Sequence, residues 1–272
     1  MANSCAIIAG AGSFPRHVAR EAKRQGLHVV AIGLRDWADS ALAQDVDVYE
    51  EVAVGQLGQL VDRLKAHQVH HAIMAGKVTK EVLFDPRVRF DAEALALLGQ
   101  VKAFSVNAVL GAMATRLAKE GIELLDSSAF LQSDLCPVGV LTQQQPSQPE
   151  HGDIALGVQA ARALAEMDIG QTVAVKERVI VAVEALEGTD ATIKRAAALA
   201  GPGCVIVKMA SPTQDMRFDL PVLGSQTLAV AQASGVRCVA VEARKTLLLD
   251  KTALIKQADD AHISLVGIEV SS

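Results

Sequence analysis

Between Lys208 and Pro221 the chain gathers Lys208, Gln214, Asp215, Arg217 and Asp219 into one short, proline-bounded segment. The apolar run Cys204-Val205-Ile206-Val207 before it reads as a buried strand. A buried strand has no structural need to end in two carboxylates and two fixed cations. Such a set beside a stiff loop suits a divalent metal ion and a phosphate: carboxylates take the metal, cations take phosphoryl oxygens. A solvated turn with its charges facing water fits the same composition.

Three other places have the right residue types. Gly10-Ala11-Gly12-Ser13 stands where an apolar run meets a helical pattern. Glycine allows close backbone approach and a helix N-terminus favours anions, so this turn can cradle a phosphate. It is not the full dinucleotide fingerprint. Pro15 follows where a third glycine is expected, and no acid ends the next strand, which argues against a redox dinucleotide. A plain tight turn needs the same glycines. Lys77 follows an apolar strand, at the edge where open parallel sheets bind ligands. Thr189 opens a helical pattern after Glu184-Ala185-Leu186-Glu187-Gly188, so either it or Asp190 caps that helix or its hydroxyl and the helix end hold a phosphate, with Lys194 and Arg195 one turn on. No nucleophile elbow, Walker loop or zinc-protease motif occurs.

These residues need elements to hold them. The 272 residues suffice for two modest domains, and 50% are hydrophobic but only 3% aromatic, so the core must be aliphatic, as in parallel α/β proteins. A net charge of -5 argues against nucleic acid as a partner. The four cysteines, Cys5, Cys136, Cys204 and Cys238, are scattered and read as small buried hydrophobes of a reducing cytoplasm. No apolar stretch reaches the ~18 to 20 residues of a membrane span, and the N-terminus lacks the pattern of a secretion signal.

The periodicity predicts a strand over 5–9, a helix over 14–25 closed by Gly26, and a strand over 29–32, a βαβ opening that calls for a parallel sheet. A helix over 56–67, a strand over 71–74, a helix over 104–120 and a strand over 122–125 follow. The Gln- and Pro-rich stretch within 132–150 reads as a linker, with the domain boundary near Leu131. Beyond it come helices over 153–167, 189–199, 225–234 and 250–261. Strands are expected over 172–175, 179–183, 204–208, 236–241, 245–248 and 263–268.

Taken in order, Ile8-Ala9-Gly10-Ala11-Gly12-Ser13-Phe14-Pro15, Met74-Ala75-Gly76-Lys77-Val78, Gly139-Val140-Leu141-Thr142, Asp168-Ile169-Gly170-Gln171-Thr172-Val173, the run from Val183 to Ile193 and Gln214-Asp215-Met216-Arg217-Phe218-Asp219-Leu220-Pro221 resemble the LpxI-type UDP-2,3-diacylglucosamine pyrophosphatases over nearly the whole chain. The resemblance implies two α/β domains, the first Rossmann-like over 1–131 and the second, catalytic, over 132–272, with substrate between them. It implies Mg²⁺-dependent hydrolysis of UDP-2,3-diacylglucosamine to UMP and 2,3-diacylglucosamine 1-phosphate (lipid X) in lipid A synthesis, at the cytoplasmic face of the inner membrane. Peripheral membrane contact and a homodimer are compatible with it. The motif carboxylates fall on Asp219 and Asp215, the metal ligands and catalytic acids of this reading, with Arg217 beside them. Gly10, Ala11, Gly12, Ser13, Lys77, Thr189, Lys208 and Gln214 are the expected substrate contacts. Two positions depart from the family pattern: Ser211 stands where a lysine is usual, and Asn107 lies where adjacent acids are usual. A non-catalytic sugar-nucleotide or dinucleotide-binding protein is the competing class.

Overall fold

Strand β1 (Ser4–Ala9) and strand β2 (His28–Leu34) are apolar and buried almost throughout, which only a sheet covered on both faces accommodates. The computed structural model describes residues 4–78, 87–101, 106–211, 215–218 and 220–270. The chain forms two compact units, Met1–Leu131 with Asp215–Asp219, and Gln132–Gln214 with Leu220–Ser272.

In the first unit, β3 (Val48–Val52), β4 (His71–Ala75) and β5 (Glu123–Leu124) complete a five-stranded parallel sheet in the order β3-β2-β1-β4-β5, a Rossmann-like arrangement. Helix α1 (Phe14–Arg24) covers one face with Val18, Ala19 and Ala22. On the other, Ala6, Ile8, Val30, Ile32 and Ala72 pack against α2 (Leu57–Ala66), α3 (Ala92–Gln100) and α4 (Val106–Lys119). The side-chain period of two along each strand sends alternate residues to these two layers. Strand β3 and helix α3 were not anticipated. Half-exposed, acid-bearing β3 lies at the sheet edge, where no apolar run marks it.

In the second unit, β6 (Gly139–Val140), β7 (Thr172–Lys176), β8 (Val179–Val183), β9 (Val205–Lys208), β11 (Cys238–Glu242) and β13 (Ser264–Ile268) form a six-stranded sheet, ordered β6-β13-β11-β9-β7-β8. Strands β9, β11 and β13 are mutually parallel, and β6, β7 and β8 join antiparallel. Val173, Val175, Val205 and Val207 face α5 (Gln148–Glu166), which lies directly on Val207 because Gly157 has no side chain. Ala174, Ile206, Val239 and Leu265 face α6 (Thr189–Ala200), α7 (Ser225–Ala233) and α8 (Lys251–Asp260).

Helix α5 begins at Gln148, inside the stretch read as a linker: Ser147 and Glu150 form a capping box and Pro149 occupies its first turn. Proline and serine were helix-start signals there. The strand expected over 245–248 is β12 (Leu247–Leu248), which pairs with β10 (Val222–Leu223) in a separate two-stranded sheet. All four cysteines are buried and unpaired, and burial pushes the Cys5, Cys136 and Cys238 thiols up to about 12.

The β7–β8 turn places Glu177 and Arg178 at φ of 51° and 61°, a left-handed pair that glycine usually supplies. Asp153, 4% exposed in α5, holds it: Glu177 and Arg178 donate their backbone N–H groups to its carboxylate at 3.0 and 2.6 Å. Asp153→Ala should therefore destabilise the protein by about 2 kcal/mol, the range for hydrogen bonds to a charged group, with Asp153→Asn losing less. The midpoints of urea unfolding measure both.

Candidate functional site

The loops leaving β1 and β4 bond to each other. Gly10 donates its N–H to Ala75 O at 2.8 Å, and Ala11 and Lys77 exchange backbone hydrogen bonds at 2.9 Å in both directions. A Cβ at Gly10 would sit 2.8 Å from Lys77 O, and one at Gly76, whose φ is 93°, 2.7 Å from Gly10 C. The glycines at 10 and 76 are thus demanded by backbone contact, and the amides of Gly10 and Ala11 are spent within the protein. Gly12 differs. Its φ is 96°, a Cβ there would meet nothing within 4 Å, and Gly12 and Ser13 are exposed. Ser13 is the N-cap residue of α1 and makes no side-chain capping bond. Of the predicted turn, Gly12, Ser13 and the start of α1 are the part open to a ligand, with exposed Lys77 on the adjoining loop.

Within the charged segment, residues 215–218 form a turn closed by Phe218 N–H donating to Asp215 O. It belongs with the first unit, although the sequence reading kept it in the second domain. Phe218 packs on the apolar cluster that holds Ile8, Ile32 and Leu117. Ser127, 2% exposed just beyond β5, donates its N–H to Met216 O at 2.9 Å. Its Oγ lies 2.8 Å from both Arg217 O and Met74 O. The turn is thereby tied to the carboxyl end of β4. Asp215 and Arg217 pair through two parallel contacts, Nε to Oδ1 at 2.9 Å and Nη2 to Oδ2 at 2.6 Å, with the guanidinium 5.6 Å from the centre of the Phe218 ring. That hydrogen bond holds the Asp215 carboxyl below its ordinary 3.8. Asp219 and Gln214 lie outside the described residues.

Within the second unit, Thr172 and Lys208 stand opposite each other in the β7–β9 ladder. The Thr189 hydroxyl, in the first turn of α6 after Gly188 at φ of 80°, joins them. Lys208 Nζ donates to Thr189 Oγ1 at 3.1 Å, Thr189 donates to Glu184 Oε1 at 2.9 Å, and Thr172 Oγ1 lies 3.2 Å away. Thr189 and Lys208 are brought together as the sequence implied, but the hydroxyl is engaged by protein groups. Glu184, 8% exposed, and Thr172 stood within motifs of the sequence but were assigned no role, and Ser127 was not singled out at all. As the first ionisable residue after the apolar strand β8, Glu184 carried the signal that would have assigned it one. Asp190 accepts from Thr227 at 2.8 Å, and Glu187 pairs with Arg195, so these charges brace the loop and its neighbouring helix.

Residues 4–133 match the LpxI N-terminal domain and residues 137–266 the LpxI C-terminal domain. The chain belongs to the LpxI family. It is 30% identical over 277 residues to the UDP-2,3-diacylglucosamine pyrophosphatase LpxI of Caulobacter vibrioides, covering 97% of this chain and 96% of that protein. Among solved structures, CobK precorrin-6A reductase is 13% identical, with 100% of this chain and 89% of the other covered at a TM-score of 0.31. The glycinamide-RNase-transformylase T of Mycobacterium tuberculosis is 15% identical, with 67% and 44% covered at a TM-score of 0.26.

Among the described residues of this LpxI chain no three His, Cys, Asp or Glu side chains gather as a metal site. Asp215 has both carboxylate oxygens turned to Arg217. Its lowered pKa fixes the sign of any pH effect: the pair's stabilisation is complete above the ordinary value of 3.8 and is lost as pH falls through the lowered one. The side chains are 31% and 43% exposed, so solvent screening keeps that contribution small. Arg217→Met should raise the Asp215 pKa toward its ordinary value, read from carboxyl carbon shifts in an NMR titration. An unchanged Asp215 titration would show that Arg217 is not its partner in solution.

Proposed function

We propose that this LpxI-family chain hydrolyses the pyrophosphate of UDP-2,3-diacylglucosamine to UMP and 2,3-diacylglucosamine 1-phosphate, a step of lipid A synthesis. The observation that carries the reading is the relative of that name, aligned over 97% of the chain at 30% identity. Water adds to one phosphorus, the bridging P–O bond breaks, and the oxygen that leaves remains on the other phosphate. The substrate carries two negative charges, and the cations available at this chain's loops answer to them. In this reading Gly12, Ser13 and the N-terminus of α1, with Lys77, receive the nucleotide diphosphate, with Gly10 and Ala11 shaping the loop. Arg217 and Lys208 offset charge as the P–O bond breaks. Thr189 orients the Lys208 ammonium through their hydrogen bond, and Gln214 completes the substrate contacts.

Asp219 is the acid assigned to the attacking water, as base or as metal ligand. The described carboxylate that could share a metal, Asp215, is committed to Arg217. Mg²⁺ needs only one or two carboxylates beside phosphate oxygens and water, so Asp219 and the substrate would hold it, with Asp215 keeping Arg217 in place. When bound, Mg²⁺ supplies charge neutralisation at the pyrophosphate oxygens. The acyl chains of the substrate favour work at a membrane surface, and in this reading that surface is the cytoplasmic face of the inner membrane, met by peripheral contact. Among the described residues no helix is long and apolar enough to cross a membrane.

Purified protein with UDP-2,3-diacylglucosamine should release UMP, and EDTA should abolish release until Mg²⁺ is restored. Asp219→Ala should lower kcat by at least ~10²-fold, the lower end for such groups, with the melting temperature held. Gly12→Val and Lys77→Ala should raise KM instead. Substrate binding without UMP release by the wild type would favour a sugar-nucleotide-binding role, and normal turnover by Asp219→Ala would remove that acid from the mechanism.

A further inference from the structure

The geometry points to Ser127 as a positioning residue that latches the turn at residues 215–218, which carries Arg217, onto the carboxyl end of β4. A serine hydroxyl carries one proton. Here two carbonyl oxygens, Met74 O and Arg217 O, lie 2.8 Å from that single oxygen, and the backbone N–H of the same residue holds Met216 O at 2.9 Å. The N–H therefore fixes Met216 O, and the one hydroxyl proton is shared between Met74 O and Arg217 O. Arg217 O belongs to the peptide unit that leads into Phe218. Ser127 is itself held: it is 2% exposed, and Asp126 Oδ1 accepts from both the N–H and the hydroxyl of Ser128 at 2.7 Å, which sets the turn after β5.

The latch differs from ordinary packing in what it joins. Met74 is the last residue but one of β4, and Ala75 O and Lys77 bond to the Gly10–Ala11 loop. Through its N–H on Met216 O and its hydroxyl beside Met74 O, Ser127 thus ties the turn that carries Arg217 to the strand end that carries the candidate nucleotide contacts. Phe218 adds an apolar anchor but no direction, since burial in a cluster fixes depth better than rotation. The hydrogen bonds supply the rotation. A misplacement of a reacting group by about 1 Å costs of order 10²-fold in rate, so loss of the latch should be felt in turnover more than in binding.

The kinetic arm rests on the proposed pyrophosphatase activity, and the exchange arm does not. Ser127→Ala should lower kcat by roughly tenfold or more with KM changed less than about twofold, while Ser127→Thr, which keeps the hydroxyl, recovers most of the rate. Amide hydrogen exchange, followed without substrate, should quicken at residues 215–218 and at residue 127, with β1, β2 and β4 unchanged. Ser127→Cys, a weak donor of similar size, serves if the alanine protein does not fold. Unchanged exchange with unchanged kcat would overturn the inference. So would exchange quickened evenly across the first unit, which would make Ser127 a general prop. If the wild type releases no UMP, the functional reading fails, and local exchange alone then decides whether the latch exists.

Discussion

Three groups converge on the carboxyl end of β4, and the arrangement of the first unit hangs on them. Met74 O lies 2.8 Å from Ser127 Oγ, Ala75 O accepts from Gly10, and Lys77 pairs with Ala11. Each bond needs the backbone of another loop to come within reach, and that is why positions 10 and 76 are glycine. A methyl group at either would press on main-chain atoms at under 3 Å, where nothing can swing aside. The loops are thereby held as one framework, and the open positions, Gly12 and Ser13, are presented at its rim. Under the proposed activity, loops bonded to each other in this way would be positioned before the diphosphate arrives.

The second unit solves a different problem. Lys208 and Glu184 are partly or wholly withdrawn from water, where an unpaired charge would be costly. The Thr189 hydroxyl stands between them, accepting from the one and donating to the other. The opposite register of Thr172 and Lys208 brings β7 and β9 to this point, and the left-handed Gly188 turns the chain into α6. The network keeps a cation at the carboxyl end of a central strand without leaving it bare.

Much of the layering could be read directly. Continuous aliphatic runs of strand length, a strand-turn-helix opening and Gly26 after α1 are local signals, and local signals survive in one dimension. The charged segment after β9 was legible as well, since residue type and spacing alone mark it. Where the reading slipped, two meanings competed for the same residues. Ser147, Pro149 and Glu150 are linker chemistry by composition and a capped helix start by position. Strand β3 escaped because an edge strand needs only one apolar face.

By itself, then, the sequence determined the two-part α/β organisation, the aliphatic core and, through its ordered motifs, the family. These depend on neighbours along the chain and on the period of the pattern. Only the tertiary structure decided which candidate groups are occupied and by what. Asp215 is turned to Arg217, the Thr189 hydroxyl is shared by Lys208 and Glu184, and the amides of Gly10 and Ala11 bond to the β4 loop. It also decided that residues 215–218 fold with the first unit although the chain on either side runs in the second. The bonds that make this so join Ser127 to residues about ninety positions later, at a range where hydrophobic period and turn chemistry carry no information.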